Sequence, residues 1–186
     1  MTKTWRLFTG IPLTDSFLEA LKRHLAPWPH HGLRLISPAN WHVTTLFLGA
    51  VPAGQVDVLK TAIGRSLEGQ PAFTLRQGKF ILMPSERPRM LWVQFGPEKP
   101  FAGLVERLTE GLQAFYAPSG NHRDPLPHIT LSRFKGRVPR HLPEPDTPLP
   151  DLPARTVTLW RSELRPSGAV YTALESWPLD GEPGVS

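Results

Sequence analysis

Two stretches constrain this chain more than any other: WHVTTLFLGA from position 41 and PHITLSRF from position 127. Each sets a histidine, one apolar residue and a threonine inside a run with β-strand character. Side chains on a strand alternate faces, so His42 and Thr44 point one way while Val43 and Thr45 point the other. His128 and Thr130 likewise share a face, opposite Ile129 and Leu131. In both runs the apolar partners can pack into a core beneath, which leaves the His/Thr pair facing a cleft. Two such strands, side by side or facing, present two imidazoles and two hydroxyls to one point.

The rest of the chain supplies a scaffold for that arrangement. WRLFTGIPL reads as a strand that stops near Pro12. TDSFLEALKRHL reads as a helix, capped by Thr14 or Ser16, with Phe17, Leu21 and Leu25 on one face. LRLIS is a short strand before WHVTTLFLG. QVDVLKTAIGRSL is a helix with Val56, Leu59, Ile63 and Leu67 as its apolar stripe. AFTLRQGKFILM and RMLWVQFG are strands. FAGLVERLTEGLQAFY is a third helix, buried through Phe101, Leu104, Val105, Leu108, Leu112 and Phe115. After HITLSRF, the segments ARTVTLWRSEL and AVYTALESWPL form a hairpin around RPSG. The order βαββαββαβββ, with strands often consecutive, predicts an α+β fold with largely antiparallel sheets.

A length of 186 residues fits one domain of two joined lobes spanning 1–186. Of 22 prolines, the densest run is RVPRHLPEPDTPLPDLP, read as a surface loop over 137–153; residues 179–186 read as a flexible tail. There is no cysteine, which excludes disulfides, thiolate nucleophiles and cysteine-ligated zinc. The N-terminal MTKTWRLFTGIPLTD has no long apolar core of a leader, and no apolar run approaches the ~20 residues that span a bilayer. A cytoplasmic protein without a membrane partner is expected. Its net charge of +5 permits a phosphate-bearing partner without requiring one.

The paired motifs fit one kind of chemistry. An imidazole titrates near pH ~6.5, so a neutral copy can take a proton from water while a charged copy gives one to a leaving oxygen. Threonine hydroxyls can hydrogen-bond the non-bridging oxygens of a phosphate. No carboxylate cluster accompanies the histidines, so neither a metal nor another cofactor is expected. His24, His30, His31, His122 and His141 show no metal-ligand spacing.

With these residues in place, the sequence resembles the 2H phosphoesterases, and within them the RNA 2′,3′-cyclic phosphodiesterase branch, also called 2′-5′ RNA ligase. RLFTGIPL, NWHVTTLFLG, PRMLWVQF, PHITLSR and LWRSELRPSGAVYTALESWPL carry the likeness. Trp41, where an aliphatic residue is common, and Leu126, where an aromatic often stands, depart from the pattern. The resemblance implies a bilobal α+β fold with the cleft between two mainly antiparallel sheets and helices packed outside. It implies His42 as general acid, His128 as general base, and Thr44 and Thr130 as phosphate ligands. It adds Arg133, five positions past the second histidine, near the substrate. Strand parity puts Arg133 opposite His128, so it reaches the cleft only if the strand ends, twists or bulges first. The implied partner is RNA ending in a 2′,3′-cyclic phosphate, handled by a monomer.

Two alternatives stand beside this reading. The same chemistry can serve another substrate, such as ADP-ribose cyclic phosphate or the 3′ ends of small RNAs. A non-catalytic RNA-binding module would instead use Trp5, Phe8, Trp41, Trp92 and Trp160 as stacking faces; those rings are more simply core residues.

Overall fold

The computed structural model describes residues 3–26, 35–116, 126–134, 147–166 and 168–181. Among them the elements run β1 (Thr4–Pro12), α1 (Asp15–Leu25), β2 (His42–Pro52), α2 (Val56–Leu67), β3 (Phe73–Leu75), β4 (Lys79–Met83), β5 (Met90–Gln94), α3 (Lys99–Gly111), β6 (His128–Arg133), β7 (Leu152–Ala154), β8 (Thr156–Arg165) and β9 (Gly168–Pro178). Seven strands form one antiparallel sheet in the order β4-β5-β6-β2-β1-β8-β9, while β3 pairs with β7.

The α+β class and the antiparallel pairing are as expected. The large sheet has two halves, β4-β5-β6 and β2-β1-β8-β9. They meet where β6 pairs with β2 through one residue pair, Val43 with Ile129. The cleft expected between two sheets therefore lies over a seam within one sheet. The separate small sheet, β3-β7, carries none of the candidate residues. Because the two motif strands bond each other directly, their His/Thr faces are neighbours.

The helices form as their apolar stripes require. The Thr14 hydroxyl accepts a hydrogen bond from the Phe17 amide (3.3 Å) and caps α1. Phe17, Ala20, Leu21 and Leu25 are the buried residues of α1; Val56, Leu59, Ile63 and Leu67 are those of α2. The third helix stops at Gly111, and a 3-10 turn follows over Gln113–Phe115. Its core side is Phe101, Leu104 and Leu108, continued by Leu112, with Val105 and Phe115 only partly buried. The halves exchange helices. Phe17 of α1, which follows β1, packs on Phe95 just beyond β5, with ring centroids 5.9 Å apart. The α3 helix, which follows β5, packs against α2 and β2. Core formation in either half thus needs chain from the other.

Four local expectations change. The strand expected over AFTLRQGKFILM is two, β3 and β4, in different sheets. Gln77 between them has a positive φ of 59°, which breaks the extended run. The strand expected at LRLIS is represented among the described residues by Leu35, bridged to Ser132, and by the Ile36 amide bonded to Leu131 O (2.8 Å). The proline-rich loop ends earlier than 153: β7 takes up Leu152–Ala154, with Pro153 in a two-stranded sheet that has only edge strands. The tail expected from 179 is anchored at its start: Leu179 is buried, and Asp180 N donates to Gln70 O (2.9 Å) while Asp180 O accepts from Ala72 N (2.8 Å). Residues 137–146 of the loop, 182–186 of the tail, and His30, His31, His122 and His141 lie outside the described residues.

Gly10 fixes how closely β1 approaches the first motif. It pairs with Thr44, and a Cβ there would lie 2.5 Å from Val43 O and 3.3 Å from Thr44 Cα. Both are backbone atoms, so relief requires β2 to move at Val43 and Thr44, inside the first motif. Gly10→Ala is expected to cost roughly 1–3 kcal/mol, as overpacking does. At about 2–4 °C per kcal/mol for a chain of this size, thermal unfolding should show a drop of several degrees. An unchanged melting temperature would show that β2 yields freely.

Candidate active site

Five sequence-predicted residues, His42, Thr44, His128, Thr130 and Arg133, line one cleft of about 390 Å³ over the β2–β6 seam. Val43 and Ile129, at the intervening positions, are fully buried on the opposite face. The alternation read from sequence therefore holds through both His-x-Thr units.

Each imidazole is anchored in the same way. His42 Nδ1 is 2.7 Å from Asn40 O, and His128 Nδ1 is 2.9 Å from Leu126 O. A carbonyl only accepts, so Nδ1 carries the proton in both rings and Nε2 is left for chemistry. His42 Nε2 is 3.0 Å from Thr44 Oγ1. A neutral His42 accepts from that hydroxyl, and a protonated one donates to it. Asn40 is itself tied down, its amide Nδ2 donating to Ala169 O (2.7 Å).

The surroundings of the two rings differ. His42 sits among Phe8, Trp160 and Tyr171, with centroids 4.7, 5.4 and 5.4 Å away, tilted or edge-on. His128 lies flat on Trp92, 3.7 Å away and 16° from parallel. Burial pushes both imidazoles below their ordinary range; the carbonyl hydrogen bonds act in the opposite direction without cancelling it. His42 is lowered further by the charge of His128, so the two rings share an electrostatic environment.

Arg133 reaches the cleft because β6 bulges. Opposite Leu91 and Trp92 of β5 stand Ser132 and Thr130, so Leu131 is an extra residue. Leu131 and Ser132 are both buried, and Arg133 returns to the His128 face, where its Nη1 donates to Met90 Sδ (3.5 Å).

A bulge of the same kind follows the first motif. Thr9 and Gly10 face Leu46 and Thr44, which leaves Thr45 as the extra residue of β2. Thr45 turns inward and its hydroxyl meets that of Thr9 at 2.8 Å. Phe47 thereby joins His42 and Thr44 on the cleft wall. The sequence reading passed over Phe47. Its signal was the offset: Phe47 stands five positions past His42, as Arg133 stands five past His128.

Comparison with known proteins gives the family. Residues 11–92, which hold the first motif, match the model of the family described as LigT like Phosphoesterase. An RNA 2′,3′-cyclic phosphodiesterase of Thermus thermophilus is 33% identical over 187 residues, covering 96% of this chain and 92% of the relative. The chain belongs to the LigT-like phosphoesterase family, of the 2H superfamily. A relative of the same name from Methanothermobacter thermautotrophicus is 27% identical, covering 79% of this chain and 83% of its own. Among solved structures, one from Thermus thermophilus superposes with a TM-score of 0.81 at 29% identity, over 95% of this chain and 99% of that one. Escherichia coli LigT complexed with 3′-AMP gives 0.79 at 25% identity, over 96% and 100%.

Among the described residues of this LigT-like chain, the tryptophans and Phe8 serve as packing. Trp41 and Phe8 are buried, and Trp160 and Trp92 back the two histidines. Trp5 lies under the Arg161 guanidinium, 4.5 Å from its ring centre. Among the described residues, no three His, Asp or Glu side chains gather as metal ligands. No described helix is long and apolar enough to cross a membrane.

Proposed function

We propose that this protein hydrolyses RNA 2′,3′-cyclic phosphate ends to 2′-phosphates by acid–base catalysis between His42 and His128. The observation that carries the reading is the matched pair of imidazoles, each with Nδ1 held by a carbonyl and each lining the same cleft. The names of the curated relatives support the choice of substrate.

In the forward reaction, His128 Nε2 takes a proton from water as the water oxygen bonds to phosphorus. The P–O3′ bond breaks on the far side, and His42 gives its proton to the departing O3′. One proton enters the protein and one leaves it, so the pair ends with its charge exchanged. Thr44, Thr130 and Arg133 hold the non-bridging oxygens, where negative charge accumulates. The assignment of acid and base follows the family resemblance. With the 5′-hydroxyl of a second end in place of water, the same exchange forms a P–O5′ bond as P–O3′ breaks, and so joins two ends through a 2′-5′ bond without ATP. The working form is a cytoplasmic monomer that needs no metal.

The test is the product of an oligonucleotide ending in a 2′,3′-cyclic phosphate, assayed in EDTA. A 2′-phosphate is expected. A 3′-phosphate would reverse the roles of the two oxygens. No turnover, or turnover restored only by a divalent ion, would reject the scheme. Binding without turnover that survives loss of either histidine would leave an RNA-binding module, and preference for ADP-ribose cyclic phosphate would move the substrate.

A further inference from the structure

Both imidazoles carry a second proton at some point of the proposed exchange, and the cleft offers no anion to meet that charge. Among its described lining residues there is no aspartate or glutamate. The titratable and charged groups that face His128 are themselves cations when charged: His42 from β2 and Arg133 from its own strand. On β5 the residue in register with His128 is the uncharged Gln94, and beyond it on β4 stands Lys79. Positive charge on His128 is therefore met by something other than a carboxylate.

Two neighbours remain. One is Leu126 O, which accepts from Nδ1, and Asn40 O does the same for His42. The other has no counterpart on His42. Trp92 lies face to face with the His128 ring, with centroids 3.7 Å apart and planes 16° from parallel. The rings around His42 stand 4.7 to 5.4 Å away and are tilted or edge-on. An indole is negative on its face and positive at its edge, so the stacked ring turns its negative side to His128. The contact is well inside the ~6 Å reach of a cation–π interaction. The sheet builds this stack. Trp92 pairs with Thr130 and Gln94 with His128, so the indole reaches His128 along the diagonal between neighbouring strands. Trp92 Nε1 is buried and finds no acceptor among the described residues, so the ring is turned for its face rather than for its N–H.

We propose that Trp92 is a positioning residue for the general base: it holds the His128 ring flat, with Nε2 open to the cleft, and steadies the positive charge that the ring gains on taking a proton. The proposal rests on the reading of His128 as the proton acceptor. That charge is absent from the resting base and grows as water gives up its proton. The indole face thus stabilises the transition state more than the ground state. His42 runs the other way, from charged to neutral, and has no ring stacked flat against it.

The test fluorinates the indole at position 92 alone, which drains electron density from its face with little change of shape. Proton binding to His128 is read by NMR titration of its ring, assigned with His128→Asn. Successive fluorines are expected to weaken it, to a total of roughly 3- to 10-fold, the usual worth of a cation over a π face. Turnover is read as kcat/KM at pH 8. There both free rings are mostly neutral. The share of protein with its proton on His42 alone then does not depend on Trp92, and the rate reports the strength of the base. It should fall, but by less than the proton affinity, because the charge is only partly formed in the transition state. Unchanged or tighter proton binding would make the indole packing alone and overturn the proposal. A rate that holds or rises while proton binding weakens would also overturn it, since His128 would then not be the base. The titration needs no turnover, so it separates the two claims. If His128 responds as expected while cyclic-phosphate ends are not hydrolysed, the hydrolase reading fails and the support of charge by Trp92 stands.

Discussion

Replacing His42 or His128 with alanine is expected to lower kcat/KM on a cyclic-phosphate-ended RNA by roughly 10²–10⁴-fold, with the fold intact. Each ring offers one nitrogen to the cleft, and neither loss can be made good by a neighbour. The hydroxyls of Thr44 and Thr130 do not titrate in the working range. The fold should survive because the flanking Val43 and Ile129, not the imidazoles, fill the core. The two groups work in one proton exchange, so the double variant should be little worse than either single one. Single-turnover rates with circular dichroism on the same samples decide the matter. If one variant alone loses activity, one imidazole suffices and the paired mechanism is wrong.

The parts of this site that were legible in the sequence are those set by local alternation. His42 with Thr44, and His128 with Thr130, share a face because nothing interrupts the strand between them. The fifth residue of each motif was harder to place, because a bulge changes the count. The signal lies in the apolar phase: Val43 to Leu46 to Leu48 steps by three and then two, and Ile129 to Leu131 to Phe134 by two and then three. A regular strand steps by two throughout. What holds each bulge is remote: the Thr9 hydroxyl for Thr45, and the Ile36 amide for Leu131 O. A scan of local patterns does not supply those partners. The same limit explains the seam. Each half reads from sequence as a set of antiparallel strands, but their joining through Val43 and Ile129 is a contact between positions far apart in the chain. The break between β3 and β4 went unread because Gln77, not a glycine, adopts the positive φ.

The pH dependence should separate the free protein from its complex. One imidazole must be neutral and the other charged, so kcat/KM is expected to follow a bell whose two limbs belong to the pair. Burial holds both below an ordinary imidazole, and repulsion from His128 lowers His42 further. In the free protein near pH 7 both rings are therefore mostly neutral, and the bell should peak below pH ~6.5. Activity falls above the peak as the acid loses its proton and below it as the base gains one. A bound phosphate anion favours the charged imidazole, so the kcat profile should lie at higher pH than that of kcat/KM. A profile flat from pH 5 to 8 would count against the pair. The same shifts bear on stability, with a definite sign. A histidine depressed in the folded state binds fewer protons there than when unfolded, so folding stability rises with pH across that window. The contribution is fully present above the unfolded value near ~6.5 and is lost as pH falls through the folded values. Urea unfolding at pH 7.5 and pH 5 should show this loss in the wild type. It should shrink in His42→Asn/His128→Asn, where neither position titrates, and an equal loss in both proteins would assign the acid sensitivity to other groups.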